Sequence, residues 1–218
     1  MTFFNLKRLV PALIALYFIA TATSCKKDDP IEDPEPTDEQ ELITNFMWVL
    51  TDSATNVSTT YSFIDPDGAG GVAAFYGPGN SAGTQADSVI VLKDSTTYFG
   101  RIVLLDASAS PVDSISNEVL EKGYEHQFFY NNGSNTITNN GVPYTVKLTN
   151  GTTIKYLDVD TGSPSRSIGL RTRIRTATTA KGSKSPLQIV LKHQPGVKDG
   201  TYAPGETDIE VNFKLKIN

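Results

Sequence analysis

The last ten residues before the C-terminal Asn, DIEVNFKLKI (208–217), alternate without a break. Ile209, Val211, Phe213, Leu215 and Ile217 take one side of an extended chain, and Asp208, Glu210, Asn212, Lys214 and Lys216 the other. Successive side chains of a strand point to opposite faces, so this segment has one core face and one wet face, as antiparallel sheets do. Similar runs predict strands near 42–51, 58–64, 87–92, 97–105, 127–130, 142–149, 152–159, 170–176 and 187–193. Gly, Pro, Asn and Asp punctuate them. Asn150-Gly151, between VKLT and TTIKY, predicts a two-residue type I′ hairpin, because that turn needs positive φ at both positions. One stretch has helical spacing: Ser114–Lys122 (SISNEVLEK) sets Ile115, Val119 and Leu120 on one side, with Gly123 as its C-terminal cap. About ten short strands with one short helix predict an all-β fold. The expected architecture is an antiparallel β-sandwich, immunoglobulin-like or Greek-key in wiring, with the helix plugging one end. No alternation of strand and long helix supports a doubly wound parallel sheet.

The first 41 residues read differently. Lys7 and Arg8 precede an apolar run, Val10 to Ala20, and the small residues Thr21 to Ser24 follow it. A basic start, a short apolar core and small residues before the cut are the parts of an export signal, and the run is too short for a span of about 20 residues. The expected organisation is a signal peptide over 1–24, a tether over 25–41 and one domain over 42–218. The tether (DDPIEDPEPTDEQE) is rich in proline and acid and too poor in apolar residues to fold.

The single cysteine, Cys25, stands at the cut. Ala22-Thr23-Ser24-Cys25 resembles the lipobox of bacterial lipoproteins, which implies an acylated Cys25 as the new N-terminus and attachment to a membrane by acyl chains such as palmitate. Lys26-Lys27-Asp28-Asp29 resembles the lysine-plus-acids signal with which Bacteroidota send lipoproteins to the outer face of the outer membrane, so Lys26, Lys27, Asp28 and Asp29 are read as an export signal. The implied place is the cell surface, with the periplasmic leaflet as the alternative. The segments GYEHQFFY (123–130), LQIVLKHQP (187–195) and GETDIEVNFKLKI (205–217), with the DPDGAGG turn (65–71), resemble a family of uncharacterised Bacteroidota lipoproteins. Such families are sometimes labelled as having a type 1 periplasmic-binding fold, a label that the all-β pattern contradicts. Four tripeptides beginning Asp-Ser resemble the O-glycosylation sequon of Bacteroidota, making Ser53, Ser88, Ser95 and Ser114 candidate modification sites.

Charge separates the parts. Of 19 Lys and Arg, four (Lys7, Arg8, Lys26, Lys27) lie in residues 1–41, and of 24 Asp and Glu, eight lie there, which leaves 15 against 16 for the domain. A near-neutral domain argues against a nucleic-acid partner. Three constellations have chemistry to offer. Arg171, Arg173 and Arg175 alternate with Thr172 and Ile174, so three guanidinium groups line one face of a strand, ready to grip a carboxylate or phosphate ligand or to pair with acids such as Asp208 and Glu210. His126 and His193 each end a core-facing row and are candidate ligands for a metal or a haem iron. Asp65 and Asp67 flank a Gly-rich turn and are candidate calcium ligands, although a full site needs six or more oxygens. Catalytic fingerprints such as GxSxG, HExxH, a P-loop or GxGxxG are absent from the sequence.

The expectation is therefore a non-catalytic surface lipoprotein that binds a ligand, its partners being the outer membrane, a glycan or an outer-membrane receptor of a TonB-dependent uptake system. The alternatives are a metal or haem carrier using His126 and His193, and a surface hydrolase with an unmarked carboxylate site. Tyr61, Phe63, Phe75, Tyr76, Tyr98, Phe99, Phe128, Phe129, Tyr130, Tyr144, Tyr156 and Tyr202 exceed what a plain sandwich needs, and adjacent pairs such as Phe128-Phe129 must place one ring on each side of a strand.

Overall fold

Strict alternation of burial shapes the first strand, Asn45–Asp52 (β1), in which Phe46, Trp48, Leu50 and Asp52 point inward and Asn45, Met47, Val49 and Thr51 outward. It belongs to a computed structural model that describes residues 41–67, 73–78, 83, 88–132, 145–178 and 181–218. The signal peptide, Cys25, Lys26, Lys27, Asp28 and Asp29 lie outside the described residues, as does most of the Gly-rich turn after Asp67. The further strands are Ser58–Ile64 (β2), Ala74–Tyr76 (β3), Val89–Leu92 (β4), Thr97–Leu105 (β5), His126–Asn131 (β6), Thr145–Lys147 (β7), Thr153–Tyr156 (β8), Arg171–Arg175 (β9), Lys184–His193 (β10) and Glu206–Ile217 (β11). The helix α1 is Ile115–Glu121.

Two sheets form, ordered β3-β2-β1-β5-β9-β8-β7 and β4-β11-β10-β6. They make the expected all-β sandwich. One pairing departs from a wholly antiparallel plan: β4 runs parallel to β11, with Lys214 opposite Val89 and Ile217 opposite Leu92. Period-two patterning says which face a strand buries, not which way its neighbour runs. Strand β3, without a predicted counterpart, is a three-residue edge whose Phe75 is fully buried.

Aromatic rings close the space between the sheets. Trp48 of the first sheet lies 6.1 Å from both Tyr130 and Phe213 of the second, and Phe213 also meets Phe63 at 5.1 Å and Phe46 at 6.2 Å. Such tilted pairs contribute about 0.5–1.5 kcal/mol each beyond the area they bury. Ile115 and Val119 of α1 join this core. Leu120, expected beside them, is exposed instead, because it lies roughly 100° around a seven-residue helix from Val119.

Two turn expectations are corrected by the hydrogen bonds. The β7–β8 connection is a three-residue loop, Thr149-Asn150-Gly151, in which Gly151 N donates to Leu148 O (2.9 Å) and Leu148 N to Thr152 O (2.8 Å). Gly151 alone takes positive φ (+81°), as the third residue of such a loop must. Asn150 is held by its side chain, which donates from Nδ2 to Leu215 O (3.2 Å) and accepts from Thr152 N (3.1 Å). Gly123 does not adopt the left-handed cap conformation. It is needed for close approach, since a Cβ there would come within 2.6 Å of Ile168 Cδ1.

The 194–205 segment folds back over the outer face of β6 and β10, so that every residue of β6 is buried. Tyr202 stands edge-on to Phe129 at 5.3 Å, and Gln194 Nε2 donates to Thr201 O (2.9 Å) and Pro204 O (2.8 Å). The segment is pinned by Lys198, whose Nζ donates to Asp160 Oδ2 (2.7 Å) and Gly123 O (2.6 Å), with both side chains of the ion pair almost wholly buried. Burial pulls the Lys198 pKa down and Asp160 opposes that shift. The other carboxylate oxygen of Asp160 accepts N–H bonds from Gly162 (3.0 Å) and Arg166 (2.8 Å), so three separate segments meet at this pair.

Removing one partner strands a buried charge. Lys198→Met is expected to lose about 3–5 kcal/mol of stability in urea unfolding, whereas Lys198→Met with Asp160→Leu loses clearly less than the two single losses combined.

Candidate functional site: a cation-rich sheet face

The outer face of the seven-stranded sheet is set by the register of its strands. Arg171, Arg173 and Arg175 point outward from β9 while Thr172 and Ile174 are buried. On one side β5 places Arg101 opposite Arg171, Phe99 opposite Arg173 and Thr97 opposite Arg175. On the other, β8 places Lys155 opposite Arg173 and Thr153 opposite Arg175, and β7 adds Lys147 opposite Thr153. Six cations thus share one face across four strands. The outward residues of β1, β5, β7, β8 and β9 include no carboxylate.

Pairing of the arginine stripe with Asp208 and Glu210 does not occur, because those acids stand on β11 of the other sheet. Among the described residues none of the six cations forms an ion pair. A carboxylate beside the start of the stripe is Asp158, just past β8, whose two oxygens accept backbone N–H bonds from Gly169 (2.8 Å) and Arg171 (2.9 Å). Like charges directly opposite each other in a sheet cost stability, so Arg101 facing Arg171 and Arg173 facing Lys155 are unfavourable pairs. Arg166, in the loop before β9, is held by Asp160 and lies beside Gly200.

Phe99 stands at the β5 margin of this face, between Thr51 and Arg173, about half exposed. The other aromatics singled out in the sequence mostly pack inside: Tyr61, Phe63, Phe75, Tyr98, Phe128, Phe129, Tyr130 and Tyr156 are buried. Arg101, Lys147, Lys155 and Phe99 escape a reading of the stripe alone. Alternation in TYFGRIVLL already puts Phe99 and Arg101 on one side, but that β5 lies beside β9 is a fact of topology.

The two histidines meet. His126 and His193 are directly paired across β6 and β10, and their rings stack at 4.5 Å with planes 6° apart. His126 Nδ1 lies 3.2 Å from Lys122 O, its Nε2 is buried without a hydrogen-bond partner, and His193 Nε2 lies 3.9 Å from Glu125 Oε2. Burial pushes the His126 pKa down to about 4; the Lys122 carbonyl opposes this and the neighbouring His193 adds to it. Parallel stacked rings present their nitrogens side by side rather than converging on one point, and no group of three potential ligands is found among the described residues.

Asp65 and Asp67 adjoin, and burial, then the hydrogen bond from Asp67, raises the Asp65 pKa. No third ligand joins them among the described residues. Of the serines, Ser53 and Ser95 are exposed and Ser114 half-buried at the helix start. Ser88 is buried and its Oγ donates to Asn212 O at 2.6 Å, so it cannot accept a glycan in the folded chain.

The histidine stack has a pH signature. Between pH 6.5 and about 4 the unfolded chain carries a proton on His126 that the folded chain does not, so stability falls as pH falls through that window. The loss amounts to about 3 kcal/mol at its acid end. In His126→Phe this component is expected to vanish from a comparison of urea midpoints at pH 7 and pH 4.

No family profile matches this chain, and neither a curated protein nor a solved structure matches it.

Proposed function

We propose that the chain is a lipid-anchored surface protein without catalytic activity, which binds an anionic ligand on the outer face of β5, β9, β8 and β7. The observation that carries this reading is the set of six cations on a face that offers them no carboxylate. Guanidinium groups in a fixed row suit oxyanions, each able to give two parallel N–H bonds to one carboxylate, sulfate or phosphate group. The lipobox-like Cys25 and the export-signal resemblance support anchoring at the outer membrane. The acidic tether supports a domain held off the membrane, because its residues repel one another and an anionic surface.

On dextran sulfate resin the detergent-solubilised full chain is expected to bind and to elute with salt. Arg171→Gln/Arg173→Gln/Arg175→Gln elutes at lower salt and binds about tenfold more weakly or worse, while Lys184→Gln/Lys216→Gln on the other sheet elutes like the unaltered protein. Equal retention of both variants overturns the reading. In a Bacteroidota host, Cys25→Ala is expected to shift the protein from the outer-membrane fraction to the soluble one.

A further inference from the structure

Phe99 is the one aromatic residue among the outward positions of β1, β5, β7, β8 and β9. Its ring is 47% exposed, in the row Thr51, Phe99, Arg173, Lys155 that runs across four strands. Nothing in the sheet requires an aromatic there: the inward neighbours Tyr98 and Gly100 meet the core, and Phe99 faces solvent. An apolar plate with the arginines of β9 along one side and Arg101 beside it on β5 is matched by a ligand with an apolar face and charged substituents at its edge.

We propose that the ligand is an acidic polysaccharide, with the C–H face of one pyranose ring on Phe99 and sulfates or carboxylates reaching Arg171, Arg173 and Arg175 on β9, Arg101 on β5 and Lys155 on β8. This inference rests on the reading of the face as an anion site. The dimensions suit an extended chain of several sugars. Arg171 to Arg175 spans about 13 Å along β9, and β5 to β7 spans about 14 Å across the sheet. Cations repeat at about 6.6 Å along β9, which serves a polymer whose charges recur, rather than one small anion enclosed on all sides. A single-stranded nucleic acid also repeats its charges, but its platforms stack successive bases on several rings, and this face has one. An anionic bilayer would draw on buried apolar area as well as on the cations, and one half-exposed ring offers it little to bury.

The test is titration calorimetry of the full chain in detergent with polygalacturonate, dextran sulfate, neutral dextran, inorganic polyphosphate, a single-stranded oligonucleotide and anionic vesicles. Polygalacturonate and dextran sulfate are expected to bind and neutral dextran not to. The triple arginine variant weakens both by about tenfold or more, and Phe99→Ala weakens both by about three- to tenfold while leaving polyphosphate unchanged. Arg101→Gln/Lys155→Gln, on the flanking strands, gives the same loss should the triple variant not fold. If polyphosphate, oligonucleotide or vesicles bind as tightly as the acidic polysaccharides and Phe99→Ala changes nothing, the saccharide inference falls while the anion site stands. If no anion binds, or the arginine variants bind like the unaltered chain, the anion site falls with it.

Discussion

Everything in this domain follows from the need to close two sheets on one another, and the ring contacts of Trp48 with Tyr130 and Phe213 are where that closure is made. Trp48 is fully buried at the centre of β1, the strand that the larger sheet places between β2 and β5. Because side chains alternate, fixing Trp48 inward fixes Met47 and Val49 outward, and pairing passes that choice to every neighbouring strand. A one-residue slip of β5 against β1 would put Arg101 into the core and Ile102 into water. Burial of the inner rows therefore selects the register, and the register assembles the outer cation face.

That face is tolerated because it is wet. Exposed like charges cost little when water and salt screen them, and an arginine row inside the sandwich would have been prohibitive. The opposite choice appears at the loop end of the second sheet, where Lys198 is withdrawn from water and must be matched by Asp160 and a backbone carbonyl. One site uses charge to hold loops together and pairs it with an opposite charge and a carbonyl. The other leaves charge unmatched by any carboxylate among the outward residues of its strands.

Much of the fold was legible in the sequence, since the strands are half-buried and their patterning is strong. All ten expected strands and the helix have counterparts, with boundaries moved by a few residues. What alternation does not contain is pairing. The parallel β4–β11 contact, the placement of Arg101 beside Arg171 and the meeting of His126 with His193 across 67 residues of chain all depend on which strands adjoin. Short edge elements such as β3 offer too few residues for a period to show. The arginine stripe was visible as a motif, but its expected partners Asp208 and Glu210 were assigned from opposite charge alone, and topology put them on the other sheet.

Net charge conceals this segregation. The 15 bases and 16 acids of residues 42–218 nearly cancel, which by itself argues against a polyanionic partner. Screening limits an exposed charge to about 10 Å at 0.1 M salt, a distance shorter than the cation face is wide. A ligand close to that face meets Arg101, Arg171, Arg173, Arg175, Lys147 and Lys155 and scarcely registers Glu206 or Glu210 on the far sheet. A neutral domain with a local cation array is thus suited to a polyanion that arrives by proximity rather than one drawn in from bulk solution by long-range steering.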